Sequence, residues 1–209
     1  MHTTPSLTTN MKIKISATAY TKLYYYIKEC EDEISGFGLV VPLQDSFLIT
    51  DIFIFEQTVG SAETELEKDD VAKFLMDFDA KGGDISKIKL WWHSHADMTS
   101  FFSETDTSTI ETLGETFDYI VSLVGNHKME IKTRVDIFKV GGVDSTFTEE
   151  DNEFSVWVDT NEELQKQIKK EIEEKVKSSY HWKGYTHGWK KDDNFGFNNN
   201  KKYLPKHGH

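Results

Sequence analysis

Two histidines and an aspartate have the types and the spacing of a metal site. His93 and His95 are separated by one residue and follow the alternating apolar segment Ile88–Trp92, which predicts a strand. Residues i and i+2 of a strand project from the same face, so we expect both imidazoles to point the same way. Asp106 would add a carboxylate. Two histidines and one carboxylate leave a fourth position for water, as in catalytic rather than structural zinc sites.

The same residues also have structural interpretations. Two histidines at the end of a strand can simply be buried and hydrogen-bonded. Ser103 and Asp106 fit the Ser-x-x-acid capping box, with Asp in place of the more common Glu or Gln, before a predicted helix. The two interpretations of Asp106 are compatible, because the start of a helix is a rigid place for a ligand. His127 lies beside Asn126 in a predicted turn, and we expect it to be solvated and outside the metal site.

The stretch from His93 to Asp106 resembles the JAMM motif of the JAB/MPN metalloprotease family, which is His-x-His, seven residues, Ser, two residues, Asp. All four positions and all spacings of that motif are present. In the family, a glutamate in an upstream Glu-x-x-Gly segment at the start of a strand is the general base, and Glu33-Ile34-Ser35-Gly36 resembles that segment. The chain departs from the pattern at Ala96, where many members have proline. Proline supplies no ligand, so the departure concerns the stiffness of the loop.

This resemblance implies a zinc-dependent metallopeptidase or isopeptidase that hydrolyses amide or isopeptide bonds. It implies Zn²⁺ as the cofactor, held by His93, His95 and Asp106, with water as the fourth ligand. By the same resemblance Glu33 is the general base, and Ser103 donates a hydrogen bond to the developing oxyanion. The substrate would be a protein or peptide, which in the family includes ubiquitin and ubiquitin-like proteins.

Three other classes of function stay open. Some members of the family have lost the ligands and only bind protein partners, so a non-catalytic MPN scaffold is one alternative. A mononuclear Fe(II) oxygenase also uses two histidines and one carboxylate. Such sites usually begin His-x-Asp with a distant second histidine, whereas this one begins His-x-His, which disfavours the oxygenase. An α/β domain with an accidental match is the third alternative, and four fixed positions argue against it.

The elements around the motif indicate an α/β fold. Their predicted order is strand, helix, hairpin, helix, strand, helix, strand, strand and helix. We therefore expect a mixed central β-sheet flanked by helices, and the resemblance, which covers roughly Met11–Phe138, implies the MPN (cytidine-deaminase-like) fold. Gly36 and Gly38 lie early in a predicted strand, where glycine often marks the close approach of another backbone. A substrate chain lying nearby would fit that position.

Composition divides the chain into four predicted parts. Residues 1–10 are polar and expected to be disordered. Residues 11–158 contain the motif, and the resemblance implies that they form a JAB/MPN metalloprotease-like domain. Residues 159–179 form a charged C-terminal helix with a narrow apolar seam. We expect that seam to lie across the domain, with a partner or dimer helix as the alternative. Residues 180–209, rich in glycine, aromatics and asparagine, predict an irregular tail.

Charge and composition disfavour several kinds of partner. The chain has 209 residues and a net charge of −12, from 36 Asp and Glu against 24 Lys and Arg, which disfavours binding to nucleic acid. Cys30 is the only cysteine, which excludes an intramolecular disulfide and a cysteine-rich zinc site. No apolar run reaches the ~18 residues of a membrane span, and the N-terminus lacks the apolar segment of a secretory signal. We therefore expect a cytoplasmic protein without membrane contact.

Overall fold

The computed structural model describes residues 12–59, 64–139, 142–149 and 161–178. The helices in this part of the chain are α1 (Ala17–Glu29), α2 (Lys68–Ala80), α3 (Glu104–Gly114) and α4 (Glu162–Lys175). The strands are β1 (Lys12–Ile15), β2 (Ser35–Pro42), β3 (Ser46–Ile54), β4 (Gln57–Val59), β5 (Thr64–Leu66), β6 (Ile88–Ser94), β7 (Tyr119–Gly125), β8 (Ile131–Lys139), β9 (Gly142–Glu149) and β10 (Val176–Ser178). The predicted disordered N-terminus (1–10) and the predicted tail (180–209) lie outside these residues. So does Phe154–Val158, whose apolar sequence predicts a late strand or an extended segment packed on the domain.

Seven strands form one mixed sheet in the order β1-β3-β2-β6-β7-β8-β9. The pairs β1–β3 and β6–β7 are parallel, and the other neighbours are antiparallel. Helices cover both faces of the sheet, which confirms the expected α/β fold with a mixed sheet flanked by helices. No helix in the described ranges combines the length and the apolar character that crossing a membrane requires.

Alternation along β6 separates the two faces of the sheet and puts the first histidine on the α3 side. Trp92 points into the main core with α1 and α4, where it stacks on Tyr26 with ring centroids 5.8 Å apart. Trp91 points to the opposite face and packs with Ile110 of α3. His93 follows Trp91 by two residues and shares its face, and their rings stack with centroids 4.7 Å apart.

Helix α4 lies across the domain, as its apolar seam predicts. Ile168 is buried in the same core as α1 and the sheet. The hydroxyl of Tyr26 donates to Glu171 Oε2 at 2.7 Å, and burial, with the nearby charge of Glu171, raises the pKa of Tyr26. The seam is therefore covered by the chain's own core. The helix ends at Lys175, a few residues before the predicted end, and β10 follows it and pairs with β4.

Four strands are absent from the predicted order, and the prediction is wrong at those places. β4 and β5 lie within residues 57–70, whose acidic and polar sequence predicts a loop followed by the start of a helix, and β10 lies at the end of the predicted C-terminal helix. Strands of three residues are too short to show alternation in the sequence. The sequence Gly141-Gly142 predicts a break after the strand that follows residue 130. The structure instead has β9 beginning at Gly142 and pairing antiparallel with β8.

The close approach predicted at Gly36 and Gly38 is made by strand β3. A Cβ atom at Gly36 would lie 1.9 Å from the carbonyl oxygen of Phe53, and one at Gly38 would lie 2.5 Å from that of Asp51. Gly36 pairs with Trp92 and shares its face of the sheet, which is the face opposite to His93. The packing of β2 against β3 therefore accounts for the glycines, and a substrate chain lying near this segment stays a prediction.

Candidate metal centre

The end of β6 brings the two histidines together. Both side chains are buried, and Nε2 of His93 is 3.1 Å from Nε2 of His95. Nδ1 of His95 is 3.0 Å from the carbonyl oxygen of Thr99. A carbonyl oxygen can only accept, so Nδ1 of His95 carries the hydrogen, and in the neutral ring Nε2 keeps its lone pair. That lone pair faces His93, and a metal ligand needs such a free lone pair.

The capping box at the start of α3 positions the carboxylate. The hydroxyl of Ser103 accepts from the backbone N–H of Asp106, and Oδ2 of Asp106 accepts from the backbone N–H of Ser103 at 2.6 Å. The second carboxylate oxygen of Asp106, Oδ1, is not used by the capping box and lies 3.2 Å from Nε2 of His93. Burial raises the pKa of Asp106, but hydrogen bonds from His93 and Ser103 outweigh burial and lower it to about 2. The carboxylate is therefore ionised, as a ligand must be.

The donor atoms of His93, His95 and Asp106 all lie within 4.8 Å of one another, and the three residues are buried. Two ligands held about 2.0–2.1 Å from one tetrahedral ion are separated by roughly 3.3 Å. The two shortest separations here, 3.1 and 3.2 Å, are close to that value. The three predicted ligands thus converge as expected, and the group could hold a metal ion.

Glu33 lies beside this group, just before β2. Ser35 pairs with His93 in the antiparallel register of β2 and β6, and the same register continued by two residues places Glu33 opposite His95. The side chain of Glu33 is buried. Burial raises its pKa, the charge of His95 lowers it, and repulsion from Asp106 raises it, so that the pKa of Glu33 lies above its usual value. A carboxylate of this kind holds a proton more readily than an exposed one, which suits a general base.

The hydroxyl of Ser103 is used within the capping box. It donates to Oδ2 of Asp106 at 2.7 Å while it accepts from the backbone of the same residue. In this arrangement Ser103 orients Asp106, the candidate ligand. A role as oxyanion donor would require the hydroxyl to turn away from Asp106, and that role stays a prediction.

A turn at residues 125–130, which the sequence does not connect with the site, holds the loop between the second histidine and the cap. Four hydrogen bonds join the two segments: His95 N to Gly125 O (2.8 Å), His127 N to Ala96 O (2.8 Å), Asn126 Nδ2 to Met98 O (3.0 Å) and Ser100 Oγ to Glu130 O (2.7 Å). Asn126 is buried. The loop is therefore fixed by partners about 30 residues away, and no spacing rule in the sequence signals such a contact.

His127 is not the solvated residue that the sequence predicts. Its Nδ1 is 2.8 Å from Oδ1 of Asp97, and its Nε2 is 2.9 Å from the carbonyl oxygen of Cys30. Its own carbonyl accepts from Nζ of Lys28. His127 therefore links the loop between His95 and Ser103 to the segment that precedes Glu33. It is not in the convergent group, as the sequence predicts.

Ala96 has a left-handed backbone conformation, with φ of 44°. A proline ring fixes φ near −65°, so proline could not replace Ala96 without a change in the loop. The stiffness that proline would have supplied comes instead from the hydrogen bonds to residues 125–130.

Two exposed apolar side chains lie at the rim of the centre. Met98 is 45% exposed and Phe101 is 48% exposed. The ring of Phe101 meets that of His95 edge-on, with centroids 5.0 Å apart. The loop between His95 and Ser103 therefore presents apolar surface next to the candidate centre.

No protein-family model matches this chain, and no curated protein matches it. Any function is therefore inferred from the residues and their geometry.

Proposed function

We propose that the protein is a zinc-dependent hydrolase of peptide or isopeptide bonds, of the JAB/MPN metalloprotease type. The main support is the convergence of His93, His95 and Asp106, with the buried carboxylate of Glu33 beside them. The mixed sheet flanked by helices is compatible with the MPN fold. Three protein ligands with room for water are the arrangement of catalytic zinc sites.

The zinc ion and Glu33 would have separate roles in the hydrolysis. Zn²⁺, when bound, would lower the pKa of a water molecule toward about 7 and polarise the scissile carbonyl. Glu33 accepts the proton of the attacking water and delivers it to the leaving amine, so that one C–O bond forms as one C–N bond breaks. The raised pKa of Glu33 favours the first of these transfers, because it makes the carboxylate a stronger base toward the attacking water.

A protein or peptide substrate suits the rim of the centre. Met98 and Phe101 offer exposed apolar surface next to His95, on the loop between the ligands. A side chain of the substrate next to the scissile bond can pack against them. Ubiquitin-like proteins and short peptides are the substrates to screen first.

Metal content tests the proposal directly. We expect about one zinc per purified chain by elemental analysis, retained in Glu33→Gln and lost in His95→Ala. Iron in place of zinc would favour the oxygenase. Absence of metal from the wild-type chain, even after zinc is supplied, would refute the catalytic proposal.

Activity tests the role of the base. Cleavage of ubiquitin-like fusions and fluorogenic peptides should fall by about 10²–10⁴ in Glu33→Gln, which still binds zinc. Glu31→Gln is the matched control, because Glu31 is an exposed carboxylate two residues away, and it should keep full activity. A Glu33→Gln variant as active as the wild type would refute the assignment. Zinc binding without cleavage of any tested substrate would favour the partner-binding scaffold.

A further inference from the structure

The chain contains a single arginine among its 24 Lys and Arg residues, and that arginine lies close to the candidate metal centre. Arg134 is in β8, and only 14% of its side chain is exposed. A guanidinium differs from an ammonium because it carries five N–H donors in one rigid plane. Arg134 is therefore the one basic side chain of the sequence that can donate several hydrogen bonds from a single plane.

Two N–H groups of the Arg134 guanidinium, Nε and Nη2, bind the buried carboxylate of Asp136. Oδ1 of Asp136 accepts from Nε of Arg134 at 3.0 Å and from Nη2 at 2.8 Å. It also accepts from the hydroxyl of Thr146 at 2.6 Å. Asp136 is fully buried, and Arg134 is its ion-pair partner. Asp136 thereby fixes the orientation of the guanidinium plane.

The other side of the guanidinium reaches the first turn of α3. Nη1 of Arg134 donates to the hydroxyl of Thr107 at 3.3 Å, and that hydroxyl donates to the carbonyl oxygen of Ser103 at 3.1 Å. Ser103 in turn holds Oδ2 of Asp106 through its backbone N–H and its hydroxyl. Hydrogen bonds of Arg134, Thr107 and Ser103 therefore connect the buried Asp136 to a candidate metal ligand, with the backbone of Ser103 as one link.

We propose that Arg134 is a positioning residue for the metal centre. It fixes the first turn of α3 through Thr107 and so keeps Oδ1 of Asp106 directed at the two histidines. The inference rests on the proposed metal site. Groups that orient a metal ligand typically contribute about 10–100-fold to metal affinity.

The test compares three single variants and one double variant. Arg134→Lys keeps a positive charge beside Asp136 but cannot hold Asp136 and Thr107 together. Thr107→Val removes the hydroxyl and keeps the shape of the side chain. Thr109→Val is the matched control, because the hydroxyl of Thr109 makes the same kind of bond, to Thr105 O at 3.1 Å, away from the arginine.

Zinc affinity is measured by competition with a chelator, and the Co²⁺ absorption spectrum reports the geometry of the ligands. We expect Arg134→Lys and Thr107→Val to weaken zinc binding by about 10–100-fold and to change the Co²⁺ spectrum. Thr109→Val should stay within about twofold of the wild type. The double variant Arg134→Lys/Thr107→Val should lose little more than the larger single variant, because both act through one series of bonds.

Thermal unfolding of the metal-free variants separates positioning from stability. Affinities are measured well below the unfolding temperature, where a purely stabilising arginine would leave them unchanged. Wild-type zinc affinity in Arg134→Lys, or an equal loss in Thr109→Val, would overturn the inference and leave the proposed function intact. Failure of the wild-type chain to bind any metal would overturn both.

Discussion

The substitution Ala96→Pro distinguishes a prediction based on the family resemblance from one based on the structure of the loop. Many members of the family have proline after the second histidine, so the resemblance alone predicts that Ala96→Pro is tolerated or stabilising. The structure predicts the opposite, because φ of Ala96 is 44° and the proline ring requires a value near −65°.

The expected cost follows from the bonds around Ala96. A rotation of φ by about 110° moves the carbonyl of Ala96 away from the N–H of His127 and opens the turn in which Met98 N donates to His95 O, each now at 2.8 Å. Two lost hydrogen bonds at about 1 kcal/mol each, with the strain of the new loop, give roughly 2–4 kcal/mol. Ala96→Gly should stay within about 1 kcal/mol of the wild type, since relief of the left-handed strain is offset by the greater entropy of the unfolded chain.

Urea unfolding of the metal-free proteins, followed by circular dichroism, measures this difference. Zinc affinity should also fall in Ala96→Pro, because His95 begins the loop, and it should be kept in Ala96→Gly. An Ala96→Pro variant as stable as the wild type, with the same zinc affinity, would refute the reasoning and indicate that the loop does not need a left-handed residue.

Three further predictions concern stability. The pKa of Glu33 is raised in the folded protein, so its ionised carboxylate destabilises the fold at neutral pH. Glu33→Gln should therefore raise the Tm of the metal-free protein at neutral pH, and a lower Tm would contradict this. The pKa of Asp106 is lowered from 3.8 to about 2, so its ionised form contributes about 2 kcal/mol to the free energy of unfolding above pH ~4. This contribution is lost as the pH falls toward 2. Urea unfolding across this pH range should therefore show a smaller loss of stability in Asp106→Asn than in the wild type. Ile168→Ala should cost about 2–5 kcal/mol in urea unfolding, because the side chain of Ile168 packs α4 into the main core. A cost below about 1 kcal/mol would show that α4 is not part of the core.

The parts of the fold that the sequence predicts are those with long, regular patterns. The alternation before His93 and the apolar stripes of the helices can be found by inspection, because each depends only on neighbours along the chain. β4 and β10 could not be found in this way, since each has three residues and they pair across more than a hundred residues of sequence. Gly142 predicts a break, but its strand β9 is formed by pairing with β8.

The same distinction applies to the site. His93, His95, Ser103 and Asp106 are near one another in sequence, and strand and cap geometry suffice to bring them together. Asn126 and His127 act on the loop from a distant turn, so their role is visible only in the structure. Arg134 does have a signal in the sequence, since it is the one arginine of the chain, but its partners are not apparent there.

The bonds that orient the candidate ligands do not depend on a metal. The capping box of α3, the bond from His95 to Thr99 and the contacts of the loop with residues 125–130 are all made by the protein itself. Zinc fingers differ, because their ligands are brought together only when the ion binds. If the proposed zinc site is correct, these bonds would keep the three side chains in place without the ion, so removal of zinc would abolish activity and leave the fold intact.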